Sequence, residues 1–577
     1  AGSLQSESEL VRAGNALGLE QIKDDEGHGK MLQLSRPRKP TKNNPSKWND
    51  DPDLWARVVE YNWDDILAEK SLSGALPDLD PREQLVWAAS EALNERGFAV
   101  DVPGVDAALK IMHEYGSKLT KEFQDLTGIE SPTMRAKLTA WLKVFGVRLP
   151  NTQAKTLDDW LATAPKNAAS RAVEILRSMG RASVKKYKAM KAMTDEDGRI
   201  RGTVLYHGAS TGRWTGRGVQ PHNFTRGKIT SLEAMETAWQ VIRQGDHESI
   251  SLFADPLEFL SDTVRGAICA PEGFELACAD YSAIEARVTF WLAGDEDALD
   301  VFRGGHDIYL DMASTIYNCA VSKEDKERRF LGKQAILGLG FGMGFVKFLS
   351  HCRSFSVKFS PQQVAGIVPA GTRNALAKWV WEDSWDWVKR SMPDAEKEDV
   401  LEFVLMKYVV DAYRKKYAKV VKMWYAMEDA AKAAVRNPGK AYSTHKTTWC
   451  MQDKFLKCRL PSGRLMRYYD PRVDDGLTYM AAVGDKGVWL RENSYGGKLT
   501  ENVVQATARD YMAHALVRSV GSKYDRMVLT IHDELVAEML KGTTVLEDYL
   551  KFVEEAPEWA TGLPVRAEGW LGSRYHK

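Results

Sequence analysis

One stretch, Ala277 to Arg287, sets the frame for the whole chain. It reads Ala-Cys-Ala-Asp-Tyr-Ser-Ala-Ile-Glu-Ala-Arg, a short apolar strand that stops on a carboxylate and turns at once into a helix. An acid at the C-terminal end of a strand is held rigidly, with its oxygens pointing out of the sheet. That suits a hard cation, since Mg²⁺ is commonly held by one or two protein carboxylates together with substrate phosphates. Taken alone, Asp280 reads more simply as a helix cap, for which Asp is a favoured residue. A second stretch shifts that balance. In Met527 to Glu538, two apolar β-prone runs flank His532-Asp533-Glu534, the pattern of a hairpin with acids at its tip. A strand-end Asp and a hairpin-tip Asp, far apart in sequence, are the plan of a two-metal site. Ions about 3.5–4 Å apart can then clamp the attacking and leaving oxygens of a phosphoryl transfer.

A length of 577 residues predicts several domains or subdomains, each with its own core. Basic and acidic residues balance at 79 each and 44% of residues are apolar, as in an ordinary soluble protein. Neutrality leaves nucleic-acid binding to local basic clusters. The cysteines (Cys269, Cys278, Cys319, Cys352, Cys450, Cys458) form no Cys-x-x-Cys pair and read as reduced, packed thiols. No N-terminal run has the form of a signal peptide, and no apolar segment is long enough to span a bilayer. The expectation is a cytoplasmic protein without membrane association.

In chain order, residues 1–45 read as polar loop, with a basic, extended segment at Arg36 to Lys42. Residues 51–76 read as helix and place Tyr61 and Asp65 on one face. Residues 80–195 read as mainly helical, with Pro81, Gly97 and Pro150 as punctuation. Within them Arg177, Arg181, Lys185, Lys186, Lys188 and Lys191 make a basic helix able to track a phosphate backbone, or simply a solvated face. The loop Gly208 to Trp214, followed by Gln220 and Asn223, carries side chains able to reach phosphates or minor-groove acceptors. Helix 282–293 opens on Ser282 and Glu285, an S-x-x-E capping box. His306-Asp307-Ile308-Tyr309 opens another helical segment. Further on, Arg329, Lys333, Leu337 and Phe341 are spaced by four, so two cations and then two apolar groups line one helix face, suited to a triphosphate and a flat base. The glycines from Gly338 to Gly342 are not a dinucleotide fingerprint and mark close backbone approach or a mobile helix end. Trp379, Trp381, Trp385 and Trp387 read as core or interface in a helical stretch, 374–435. Strands are predicted from Cys458 onward, with a hairpin at Arg459 to Leu465. A helix over 500–520 then carries Gln505 and Arg509.

In this order the chain resembles the family A DNA polymerases, the class of DNA polymerase I, and is most similar to their bacteriophage branch. The likeness rests on Asp280 to Arg287, on Arg329-x3-Lys333-x7-Phe341-Gly342, on Ile531 to Glu534, and on Thr211-Gly212-Arg213 with Gln220 and Asn223. The run from Tyr495-Gly496-Gly497-Lys498 to Gln505 is also of phage type, and the likeness covers roughly residues 85 to 577.

The resemblance implies an α+β, multidomain right hand, with an antiparallel palm sheet, a helical thumb and helical fingers. Residues 1–78 would be the C-terminal remnant of a 3′–5′ exonuclease-like domain and 79–205 the thumb. The palm would take 206–300 and 440–577, with the fingers between them at 301–439. The implied activity is template-directed addition of dNTPs to a primer 3′-hydroxyl. Asp280 and Asp533 would hold two Mg²⁺ ions, replaceable by Mn²⁺, with the Tyr281 carbonyl as a further ligand and Glu534 nearby. Lys333, Arg329 and His306 would bind the triphosphate, Leu337 and Phe341 would face the nucleotide, and Glu285 would exclude a 2′-hydroxyl. His532 would touch the primer end, and Arg213 and Gln505 would read minor-groove acceptors. Gln220, Asn223, Arg181, Lys185 and Lys186 complete the implied DNA contacts. The implied partners are primer–template DNA, dNTPs and replisome or processivity factors, around a monomer.

This sequence departs from the family pattern at Leu337, where bacterial members carry an aromatic residue, at Phe341 for Tyr, and at Ala283 for Gln. Those positions bear on sugar selection and mismatch behaviour. Tyr61-x3-Asp65 matches the last exonuclease motif, whereas Asp24-Asp25-Glu26 fits an earlier one only literally and reads as loop. No proofreading by this chain alone is expected. Three rivals remain in view. A single-subunit RNA polymerase is disfavoured by Glu285. A non-catalytic DNA-binding scaffold is disfavoured by the joint presence of Asp280, Asp533, Lys333 and Arg329. A two-metal nuclease would not need the Arg/Lys helix.

Overall fold

The computed structural model describes residues 19, 25–41, 45–76, 78–355, 357–483 and 488–577. The chain divides into two compact units, Ala1–Gln84 and Leu85–Lys577.

In the first unit, helix α1 (Asp25–Ser35) packs against α2 (Pro52–Ala75). Pro52 stands in the first turn of α2, and the Asp51 carboxylate accepts from the Asp53 N–H, a standard N-terminal stop. Helix α1 corrects the loop expected there. Gly27 and Gly29 hide the periodicity in the sequence, yet Leu34 is buried and gives the helix an apolar side. Asp24, from the same acidic run, lies outside the described residues.

The second unit opens with a helical lobe that has its own core. Helix α3 (Val102–Thr127) starts on the Asp101 cap, ends on Gly128 at φ +69°, and buries Leu119 and Phe123 against Leu138, Leu142, Leu157, Val173 and Leu176. The basic run expected as one helix is divided between α4 (Ala168–Met179) and α5 (Lys185–Met193). Gly180 ends the first, and a 3₁₀ turn, Ala182–Val184, separates them.

A four-stranded antiparallel sheet is the centre of this unit. Strand β1 (Phe274–Tyr281) is followed by α6 (Ile284–Ala293), α7 (Ile308–Tyr317) and α8 (Lys326–Leu339). Helices α7 and α8 lie side by side. They approach closely because Gly332 has no side chain: a Cβ there would lie 2.1 Å from the Tyr309 carbonyl oxygen. After α9 (Val400–Lys416) and α10 (Ala418–Arg436) comes a six-stranded antiparallel meander: β2 (Ala441–Thr444), β3 (Thr447–Gln452), β4 (Phe455–Arg459), β5 (Leu465–Val473), β6 (Leu477–Val483) and β7 (Val488–Ser494). Its strands begin at Ala441, ahead of the onset expected at Cys458. Tyr442, Thr444, Thr447 and Trp449 are β-formers that the preceding helical pattern obscures. The hairpin expected at Arg459 to Leu465 is present as the β4–β5 turn.

Helix α11 (Gly496–Ser519) then leads to hairpin β8 (Met527–Ile531) and β9 (Glu534–Leu540), helix α12 (Leu546–Glu554) and strand β10 (Ala567–Gly572). The central sheet runs β8-β9-β1-β10. Its middle strand therefore pairs on both sides with segments more than two hundred positions later, with Asp280 opposite Glu534 on one side and Glu568 on the other. Leu276, Ala277, Cys278 and Ala279 of β1 are buried, and α12 packs over β1 and β10. A strand paired on both edges and covered on its faces reads as a continuous apolar run, as this one does.

Candidate active site

The two acids that frame the sequence meet at the end of β1. The β8–β9 turn holds only His532 and Asp533, with His532 at φ +54°, the geometry of a two-residue hairpin. The Tyr281 N–H donates to the Asp533 carbonyl at 3.1 Å, which ties the hairpin tip to the strand end. Burial pushes the Asp533 carboxyl up to about 7, and the neighbouring charge of Asp280 adds to the shift. Asp280 is likewise raised by burial, against the opposing pull of Lys577. Its Oδ1 is buried without a hydrogen-bond partner. Two carboxyl groups that share a buried place, one with an oxygen lacking a hydrogen-bond partner, fit a hard cation, although the described residues hold no cluster of three or more metal-ligating side chains.

Glu534 sits deeper than its hairpin neighbours suggest. Its side chain is 2% exposed, and its oxygens are engaged by the Tyr575 hydroxyl at 2.6 Å and the Lys577 ammonium at 3.1 Å. Neither partner was legible as part of the site, because only the pairing of β10 with β1 brings residues 575 and 577 here.

The helix after Asp280 corrects one expectation. Ala283 adopts a left-handed conformation (φ +51°) and is the residue before α6, with no side-chain cap, so the Ser282–Glu285 box does not form. Ser282 instead gives its N–H to the Arg566 carbonyl, and the Glu285 carboxylate pairs with Arg213. Arg213 is presented by the 208–214 loop, where Gly212 (φ +88°) leaves room for Arg464; a Cβ would come within 2.6 Å of its guanidinium. Arg464 donates to the Thr211 carbonyl at 2.9 Å and to Asp510 of α11 at 2.7 Å, which locks the loop to that helix. On the same helix the Gln505 amide donates to Glu501 at 3.3 Å. Glu501 is raised by burial and then by the charge of Glu285.

A cavity of about 790 Å³ is lined by Ser282 and Ala283, which follow Asp280, and by His306, Arg329 and Lys333; the spacing by four predicted the last two to share a face, and the family resemblance implied His306. Asp307 caps α7 through the Tyr309 N–H and at the same time fixes Arg329, with guanidinium contacts of 2.7 Å. Lys333 is lowered by burial and then by the nearby Arg226 and Arg329. Arg303, Lys323, Lys326 and Arg566 also line the cavity, opposite only Asp307 and Glu568 among its acids. No periodicity in the sequence links these cations or Arg226 to the site. Arg287 reaches the same wall but is buried, its guanidinium donating to the Ser282 and Pro564 carbonyls at 2.7 Å each. Cations thus outnumber acids among the residues that line the cavity.

Leu337 lies on α8, but the helix ends at Leu339 and Phe341 stands in the following turn rather than on the helix. Both line one small cavity together with Glu285 and Tyr413. Gly497 allows the turn to approach: a Cβ there would meet the Phe341 carbonyl oxygen at 2.1 Å.

The expected DNA contacts gather in part. Gln220 Oε1 accepts from the Lys186 ammonium at 3.3 Å and from the Asn223 amide at 3.2 Å. Lys185 is exposed. Arg181 is instead paired with Glu258, Arg177 with Asp158 and Lys191 with Asp106, so acids distant in sequence neutralise part of the basic run. His532 shares a small cavity with Arg213, Tyr281 and Asp533, and its ring meets His222 edge-on at 5.5 Å. Tyr61 and Asp65 lie on α2 in the first unit, with Tyr61 buried 6.5 Å from the His28 ring.

The model of DNA polymerase family A matches residues 117–359. The DNA polymerase of Bacillus phage SP02 is 32% identical over 97% of this chain and 82% of its own length. The thermostable DNA polymerase I of Thermus filiformis is 38% identical, over only 15% of this chain and 10% of its own length. Among solved structures, the POL domain of Pol1 from M. smegmatis, in complex with DNA primer–template and dNTP, aligns with a TM-score of 0.54 at 16% identity, covering 97% of this chain and 81% of that one. With two separated aspartates, a cation-lined cavity and these likenesses together, the chain belongs to DNA polymerase family A.

Proposed function

We propose that the chain copies a DNA template by adding dNTPs to a primer 3′-hydroxyl. The observation that carries this reading is that Asp280 and Asp533 share one buried place, at a strand end whose next residues, Ser282 and Ala283, line a cavity with Arg329, Lys333 and further cations. The resemblance to a phage DNA polymerase along almost the whole chain supports it, and with it a role in replicating phage DNA. In this reading 79–205 is the thumb, 206–300 and 440–577 the palm, and 301–439 the fingers.

Asp280 and Asp533, with the Tyr281 carbonyl, would hold two Mg²⁺ ions, which supply Lewis acidity at the attacking hydroxyl and the departing phosphate oxygens. The protein's own part is positioning and charge. Arg329, held by Asp307, and Lys333 would neutralise the triphosphate, with His306 also lining the cavity. Glu285 would exclude a 2′-hydroxyl, and Leu337 and Phe341, which line one small cavity with it, would face the nucleotide. Arg213 and Gln505 would meet the minor groove and His532 the primer end; Lys185 and Lys186, with the Gln220 and Asn223 side chains that hydrogen-bond beside Lys186, would complete the DNA contacts. The partners are primer–template DNA, dNTPs and, in a replisome, processivity factors; the protein acts as a monomer.

Primer extension on a labelled primer–template with Mg²⁺ tests the reading, beside Asp533→Asn and a lane without dNTPs. Extension that Asp533→Asn lowers by at least about 10³-fold is expected. An unextended primer on tightly bound DNA would overturn the catalytic reading in favour of a scaffold. Shortening without dNTPs would overturn the expectation that Tyr61 and Asp65 support no exonuclease here.

A further inference from the structure

We propose that Lys577 is a positioning residue whose ammonium occupies part of the metal site, and that it must withdraw before the second divalent ion can bind. The inference rests on the metal reading of Asp280 and Asp533 given above. Lys577 Nζ lies 2.8 Å from Asp280 Oδ2 and 3.1 Å from Glu534 Oε1, with 22% of its side chain exposed. The two oxygens of Asp280 are therefore unequal. Oδ1 is buried and has no partner, whereas Oδ2 is already neutralised.

The segment that delivers Lys577 is fixed. The Tyr575 N–H donates to the Ile268 carbonyl at 3.0 Å and its hydroxyl to Glu534 at 2.6 Å. Arg574 pairs with the fully buried Asp101 at 2.6 Å, and the His576 ring lies 4.0 Å from that of Trp570. Backbone movement is thereby opposed, so the side chain alone can yield. A first divalent ion has Asp280 Oδ1 and Asp533 available to it. A second ion that uses Asp280 Oδ2 competes with a tethered cation of the same sign. Lys577 would thus keep the carboxylates in place while metal is absent and set the concentration at which the second ion loads.

Mn²⁺ binding to the full chain, read by electron paramagnetic resonance without DNA or nucleotide, tests this. Two classes of ion are expected in the native protein, the weaker tightening about tenfold or more in Lys577→Gln and returning in Lys577→Arg. Unchanged binding in Lys577→Gln overturns the inference. Asp280→Asn separates the two levels: if it binds Mn²⁺ like the native protein, the metal reading itself fails, and the inference with it. A measurement on the unsubstituted protein covers a variant that does not fold. Acylation of the Lys577 amine, followed by mass spectrometry, should rise several-fold when Mn²⁺ saturates both classes. No change in labelling overturns the proposal.

Discussion

His222 is buried beside His532, and neither of its ring nitrogens has a hydrogen-bond partner. Burial, reinforced by the neighbouring imidazole, lowers its pKa from 6.5 to about 4. Between those values the unfolded chain takes up a proton that the folded chain refuses, so stability falls as the pH drops, by up to about 3 kcal/mol. Above 6.5 the residue contributes no pH dependence. The melting temperature of the native protein should therefore fall more steeply through this window than that of His222→Gln; parallel curves would contradict the assignment. At Glu285, removal of the carboxylate in Glu285→Ala should raise ribonucleotide use relative to dNTPs by roughly a hundredfold, read from kcat/KM for the two sugars. Asp280, Asp533, Arg329 and Lys333 were legible in the sequence because each sits in a short motif whose local structure forces its place. Lys577, Arg226 and Arg566 were not, since they reach the site only through pairings that no local pattern encodes. Glu285 shows the opposite failure: a sound local rule predicted a cap, and the left-handed Ala283 together with the Arg213 ion pair prevailed.

Helix α8 owes its position to what is missing from it. Gly332→Ala would drive a methyl group against the Tyr309 carbonyl and the Ala313 side chain of α7, at a cost of roughly 1–3 kcal/mol. The urea midpoint should fall, and the KM for dNTP should rise because Arg329 and Lys333 ride on the same helix. A variant with an unchanged midpoint would mean that the two helices separate easily. Elements whose period was strong in the sequence, such as α2 and the β8–β9 hairpin, match the reading closely. The basic run did not, because its charge pattern carries no signal for the break at Gly180 or for the distant acids Asp158, Glu258 and Asp106. Early strands at Ala441–Gln452 were lost for a related reason: they pair with each other and with β4, and a meander announces itself only in its turns.

Across the molecule, charge balance at 79 against 79 leaves no net charge to attract DNA, and attraction falls to local patches. Affinity for a primer–template should then depend on few cations. Lys185→Ala with Lys186→Ala is expected to reduce the slope of log K against log salt by about 2, measured by fluorescence anisotropy over a KCl series. Arg177→Ala, which removes a cation already paired with Asp158, should change that slope little. The central sheet carries a consequence for synthesis as well. Strand β1 bears Asp280 but is paired only by β9 and β10, so it leaves the ribosome with both edges bare. At about 5–20 residues per second, some fifteen seconds to a minute pass before residues 567–572 emerge to close it. Throughout that interval the strand that carries Asp280 lacks at least one neighbour, so the site cannot be completed until almost the whole chain has been made.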